Sequence, residues 1–232
     1  MNGSGHEISE RSVTIPLDGI ELRADLAVPR DAHGIVIFAH GGGGSRMSVR
    51  NRAVAAQLQR SRFATLLLDL LTPSEEREDE RTGELRFDIT LLALRLECAT
   101  DWVGRGRQTE DLPVGYFGAS TGAAAALVAA AHRHVVRAVV SRGGRPDLAF
   151  RVLADVRAPT LLIVGGFDEP VLDLYRDALR ILRGEKHMEI IPRATHLFQE
   201  PGALYHVTQL ACQWFERYLA PHHIRVELRN GA

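Results

Sequence analysis

The sequence predicts an α/β fold, in which a mostly parallel sheet of about eight strands is entered through an antiparallel hairpin and covered by helices on both faces. Strand and helix patterns alternate strictly after the hairpin, as they do when parallel strands are joined by helical crossovers. Ile35–Ala39 and the Ala64–Leu68 stretch are continuous apolar runs, as strands buried on both faces are. Gly118-Ala119-Ser120-Thr121-Gly122 falls where one such run gives way to an alanine-rich helical pattern.

Taken in order, Ser12–Pro16 and Ile20–Val28 alternate and are joined through Asp18-Gly19, a strong hairpin signal. Strand Ile35–Ala39 follows, then a helix over 48–61 and a buried strand over Phe63–Leu71. Thr72–Arg86 carries Glu75, Glu76, Arg77, Glu78, Asp79, Glu80 and Arg81 in succession. It reads as a solvated loop, with a mobile flap over the site as the alternative. From Asp88, a cap candidate, the residues Ile89, Leu92, Leu96, Ala99 and Val103 share one helical face. A strand at 113–118 and a helix to about His132 come next, then strands at Val135–Ser141 and Thr160–Gly165. Pro170–Leu182 reads as a helix and Met188–Ile191 as a short strand. Pro201 opens a final helix whose Leu204, Ala211, Trp214, Phe215 and Tyr218 point inward.

The 232 residues make one domain, with 1–10 and 221–232 as tails. Within the second tail, Ile224-Arg225-Val226-Glu227-Leu228 alternates like a strand or a subunit contact. A hydrophobic content of 45% and a net charge of −1 fit a soluble globular protein and give no reason to expect nucleic acid or an anionic membrane as partner. Met1–Glu10 lacks an apolar signal-peptide core and no apolar run approaches a membrane span, so the expected location is the cytoplasm. Of the 28 basic residues only Lys186 is lysine, which reads as the base composition of a GC-rich bacterium. Cys98 and Cys212 lie in helical patterns and are expected to be buried free thiols.

In a sheet of this kind chemistry gathers past the carboxyl ends of the strands. Gly118 and Gly122 give Ser120 the room a tight strand-to-helix turn needs, and the Thr121 amide then points where negative charge develops in acyl transfer. Asp168 follows strand 160–165, and His196 follows strand 188–191. As a triad, Ser120 attacks, His196 moves the proton, and Asp168 orients the imidazole and stabilises its cation. Glu169, Asp173 and Asp147 are rival acids. Among the other histidines, His132 and His134 sit at a helix end, His222 and His223 in the tail, and His6 and His33 in exposed segments. His187 and His206 have no strand-end placement, and His40 heads the run Gly41–Gly44. That run supplies the second oxyanion donor, with Gly42 the first choice and Gly41 and Gly43 beside it. It is no phosphate loop, because no Gly-Lys-Ser/Thr follows. Arg46 and Arg142 are candidates for gripping an anionic group, along with Arg145. The preferred alternative is a loop in which Arg145 or Arg142 pairs with Asp147 or another structural acid. Asp69 reads as a buried hydrogen-bonding group.

At these residues the chain resembles the α/β-hydrolase superfamily, and more closely the dienelactone hydrolase-like family, over nearly its whole length. Phe38-Ala39-His40-Gly41, Leu66–Thr72, Gly118–Ala124, Ser141–Asp147, Leu161–Gly166 and Ala194–Phe198 carry the match. Similar domains occur alone or fused behind a phosphoribosyltransferase domain. The resemblance implies an α/β-hydrolase fold with no large cap domain, and hydrolysis without metal or organic cofactor. The name-giving enzymes use cysteine where this chain has Ser120, glutamate near His40, and an arginine where this chain has Glu200. The expected activity is a serine hydrolase cleaving a small-molecule carboxylic ester or lactone through an acyl-enzyme. An amidase, peptidase or acyltransferase on the same triad is one alternative. A non-catalytic homologue that binds a small ligand is another. A homodimer is compatible with either.

Overall fold

Asp18 and Gly19 take positive φ angles of 36° and 86°, as the central pair of a type I′ hairpin turn does. In the computed structural model, which describes residues 7–220, the chain folds back there so that β1 (Ile8–Leu17) pairs antiparallel with β2 (Ile20–Pro29). Ile8 to Glu10, expected in a tail, therefore belong to β1; the hairpin partner continues to Pro29 and holds them. The rest of the expected tails, with His6, His222, His223 and the alternating 224–228 stretch, lies outside the described residues.

β2 pairs antiparallel with β4 (Ala64–Leu68), and every later pairing is parallel. With β3 (Ile35–Ala39), β5 (Val114–Ala119), β6 (Val136–Arg142), β7 (Thr160–Gly165) and β8 (Lys186–Ile191), the sheet order is β1-β2-β4-β3-β5-β6-β7-β8. Alternate residues of β3 feed two cores. Ile35 and Ile37 join the side covered by α3 (Ile89–Val103), α4 (Thr121–His132) and α5 (Glu169–Ile181). Val36 and Phe38 join the side covered by α1 (Val49–Arg60) and α6 (Ala203–Leu219). The expected α/β-hydrolase architecture is present, with no large cap among the described residues. The last helix begins at Ala203 rather than Pro201, because Gly202 enters it with φ 81°. Cys212 is buried, whereas Cys98 is half-buried.

The charged run is not a solvated loop. Pro73–Thr82 forms helix α2, and a short 3-10 turn over Leu85–Phe87 follows. Thr72 and Glu75 make a reciprocal capping box, Pro73 occupies the first turn, and Gly83 ends the helix at φ 70°. Tertiary ion pairs stand in for the missing apolar face. Glu75 accepts from Arg95 Nη1 and Nη2 at 2.8 and 2.6 Å, and Arg95, on α3, is only 3% exposed. Burial raises the Glu75 pKa, but the bonds from Arg95 and Thr72 outweigh it and hold this carboxyl below its ordinary value.

Removing Glu75 leaves a buried guanidinium without its counterion, so Glu75→Ala is expected to cost about 3 kcal/mol in urea denaturation at neutral pH. A loss below about 1 kcal/mol would mean that α2 is held by something other than this pair.

Candidate active site

Ser120 joins β5 to α4 with φ 52° and ψ −124°, a conformation that costs a non-glycine residue on the order of 1–3 kcal/mol. The neighbouring glycines leave it no alternative. A Cβ on Gly118 would lie 2.4 Å from Ala123 Cα, and one on Gly122 would lie 2.2 Å from the His40 carbonyl oxygen. β5, α4 and the end of β3 thus touch backbone to backbone. Ser120 N donates to Arg142 O at 3.3 Å, and Arg145 N donates to Ser120 O at 3.2 Å. The half-buried Ser120 side chain makes no capping bond to its helix.

Two loops bring Asp168 and His196 together. Gly166 N donates to Ile191 O and Phe167 N to Ala194 O, both at 2.9 Å, while Gly165 has no room for a Cβ against Ala194 O. His196 Nδ1 lies 2.8 Å from Asp168 Oδ2, and Asp168 is 9% exposed. The carboxylate accepts, so Nδ1 carries the ring proton and Nε2 of the neutral imidazole is bare. His196 packs on the loop after β6: its Cε1 is 3.6 Å from where a Gly143 Cβ would be. That same loop holds Ser120. Among the described residues no hydrogen bond joins Ser120 Oγ to the ring; such contacts often tighten only around substrate. Asp147, the rival acid, is taken by Arg145 through two bonds of 2.8 and 2.6 Å.

Sequence inspection gave no hint of Tyr175. Its hydroxyl accepts from Gly144 N and lies 2.9 Å from Ser141 Oγ, pinning the loop after β6 from α5. Burial pushes its pKa up to about 12, so it stays a neutral hydrogen-bonding group.

His40 organises the glycine loop. Its Nε2 accepts from Leu70 N at 3.0 Å, so the proton is on Nδ1, which donates to Gly41 O at 2.8 Å. Gly41 O also accepts from Gly44 N at 3.0 Å. Across a trans peptide the Gly42 N–H points opposite to that carbonyl, away from His40 and Gly44. Gly41 sits on the serine: its Cβ would be 2.8 Å from Ser120 Cβ. Gly43 takes φ 67°, and Gly42 lies under Arg86, which Asp79 holds through Nε at 2.8 Å. The loop, Thr121 and the α2 segment enclose a cavity of about 230 Å³ floored by Leu70, Leu71 and Leu92.

The arginines divide. Arg46 is bound by Asp69, through its backbone N at 2.6 Å and Nη1 at 2.5 Å, with Asp25 at 3.5 Å. Asp69 is thus the buried hydrogen-bonding group expected of it. Arg142 has no acidic partner among the described residues. Among those residues no group of three or more His, Cys, Asp or Glu is placed to hold a metal ion. No helix there is long and apolar enough to cross a membrane.

A crystal structure of dienelactone hydrolase from Anabaena variabilis is 58% identical, with a TM-score of 0.90 over 92% of this chain and all of that one. Two Mycobacterium tuberculosis proteins that carry a provisional phosphoribosyl transferase name are 53% identical over 213 residues, 91% of this chain. The chain spans about half the length of these curated relatives, 47%. Est1E from Butyrivibrio proteoclasticus shares the fold at 17% identity, with a TM-score of 0.75 over 89% of this chain and 98% of that one. No protein-family model matches the chain.

Burial lowers the His40 pKa below 6.5, against the opposing effects of the Gly41 carbonyl and Asp69; burial also lowers that of His33. The unfolded chain therefore takes up protons near pH 6.5 that the folded chain refuses. Stability is expected to be complete above that pH and to fall as pH drops below it. Thermal melts between about pH 5 and 8 should show this slope, and His40→Asn should flatten it. An unchanged slope in the variant would assign the effect to other groups.

Proposed function

Because the chain belongs to the dienelactone hydrolase-like family of α/β-hydrolases, we propose that it cleaves a carboxylic ester or lactone through an acyl-enzyme on Ser120. The observation that carries this is the His196–Asp168 pair, set beside the strained Ser120 by the loop that holds them both. Ser120 Oγ attacks the carbonyl carbon while the bare Nε2 of His196 takes its proton. Asp168 keeps that tautomer and stabilises the imidazolium. The oxyanion is received by the Gly42 and Thr121 amides. Gly42 N–H is aimed by the two hydrogen bonds on Gly41 O, and Thr121 N–H opens α4, where no carbonyl of the helix is available to it. The intermediate collapses and His196 protonates the leaving alkoxide. A water molecule, deprotonated by His196, then attacks the acyl carbon and frees the acid and Ser120.

The transferase name belongs to proteins about twice as long as the stretch they share with this chain, and it is not carried over. Among the described residues, α2 and the turn after it overhang the glycine loop near the serine, which suits a small or end-presented acyl group.

A fluorophosphonate probe should label the wild type and not Ser120→Ala, with p-nitrophenyl butyrate hydrolysis lost in parallel. Asp168→Asn should lower kcat roughly 10⁴-fold, the loss seen when a triad histidine is held in the wrong tautomer. Labelling or turnover that survives Ser120→Ala would remove the nucleophile assignment. An unlabelled, inactive wild type would favour the non-catalytic binding protein.

The strain at Ser120 gives a separate expectation. Ser120→Gly should unfold at higher denaturant than Ser120→Ala, by about 1 kcal/mol, because relief of strain exceeds the entropy cost of glycine. Equal midpoints would mean that the turn is unstrained.

A further inference from the structure

The cavity beside the glycine loop lies on one side of the reaction centre. Leu70 and Leu71 follow β4, Gly41–Gly44 follow β3 and Ser120 follows β5, and these strands are neighbours, whereas His196 follows β8 at the far edge of the sheet. A Cβ on Gly41, which lines the cavity, would lie 3.5 Å from Ser120 Oγ. The leaving alcohol must take its proton from His196 and so departs on the opposite side, which gives the cavity to the acyl half. The floor of Leu70, Leu71 and Leu92 suits an alkyl chain. The wall above that floor is acidic. Glu76, Asp79 and Glu80 stand at i, i+3 and i+4 on one face of α2, and all three line the cavity. Asp79 is neutralised by Arg86, but among the described residues Glu76 and Glu80 have no ion-pair partner. Like charges one turn apart disfavour the helix itself, so helix stability does not account for the pair. Burial, then Asp69 and Glu80, raise the pKa of the half-buried Glu76 against the weaker pull of Arg46 and Arg23. Neither Arg46 nor Arg142, the arginines expected to grip an anionic group, lines the cavity.

We propose that Glu76 and Glu80 set the charge selectivity of this acyl cavity: it takes an uncharged alkyl acyl group and turns away one whose far end carries a carboxylate. The inference rests on the ester-hydrolase reading and names its substrate class. A carboxylate entering the cavity exchanges water for a wall that already holds two unpaired carboxylates, and Arg86, the cation lining that wall, is committed to Asp79. An alkyl chain meets no such opposition and gains by leaving water for the three leucines.

The test compares mono-p-nitrophenyl adipate with p-nitrophenyl adipamate, which match in length and shape and are both polar at the far end, so that charge is the main difference. The wild type should favour the amide in kcat/KM by roughly tenfold or more, as like charges brought close together require. That preference should shrink in high salt. Glu76→Gln should lower the amide-to-carboxylate ratio by roughly tenfold, and the more exposed Glu80→Gln by less; a loss of folded protein lowers both rates and leaves their ratio alone. A separate arm needs no turnover: at matched ionic strength, adipamide should raise the unfolding temperature of the wild type more than adipate does, and Glu76→Gln should narrow the gap. The ratio decides wherever the esters are hydrolysed, and the ligands decide where they are not. A wild-type ratio near one, or a ratio unchanged in both variants, overturns the selectivity. Should neither ester be hydrolysed while the ligands behave as expected, the selectivity stands and the hydrolase reading falls. No hydrolysis together with equal or absent ligand shifts overturns both.

Discussion

At Ser120 the chain passes from β5 into α4 with no room to do so in any relaxed way, and much of the site is arranged around that turn. The conformation persists because its surroundings over-determine it. Gly118 and Gly122 let α4 press against β5 and the end of β3, closer than any side chain permits. The loop after β6 then holds Ser120 from the other side, taking its N–H and giving its carbonyl a donor. Tyr175 pins that loop from α5, and His196 packs on it. A strained serine, a histidine and the groups that orient them are thus parts of one backbone assembly at the carboxyl edge of the sheet.

The charges around this assembly are arranged to immobilise it. Neutral His40 locks the Gly41 carbonyl and ties it to the end of β4. Asp69 holds Arg46 where the glycine loop returns to α1, and Asp79 holds Arg86 against Gly42. Each pair neutralises itself, so these arginines brace the glycine loop without adding net charge to it.

How much of this was legible in the sequence depends on whether a feature leaves an apolar signature. β3 and β7 begin and end where their continuous apolar runs do, and α4 spans the alanine-rich stretch from Thr121 to His132. Helix α2 leaves no apolar stripe in the sequence, because among its residues only Asp79 is buried. Its signals were chemical: Thr72-Pro73-Ser74-Glu75 at one end and Gly83 at the other. For the acid, Asp168 and Asp147 both follow strands, and only the fold shows that Arg145 occupies the latter. Tyr175 and Arg86 carried no signal at all, since each acts across the fold on residues far away in the chain.

The central claim is that Ser120 carries the acyl group during turnover. The most direct measurement is acid quenching of the enzyme during steady-state hydrolysis of p-nitrophenyl butyrate, followed by peptide mass spectrometry. The account predicts a butyryl group on the peptide containing Ser120, absent from Ser120→Ala. A butyryl group on another residue, or full turnover with no acylated peptide even in the slowed Asp168→Asn variant, would contradict it.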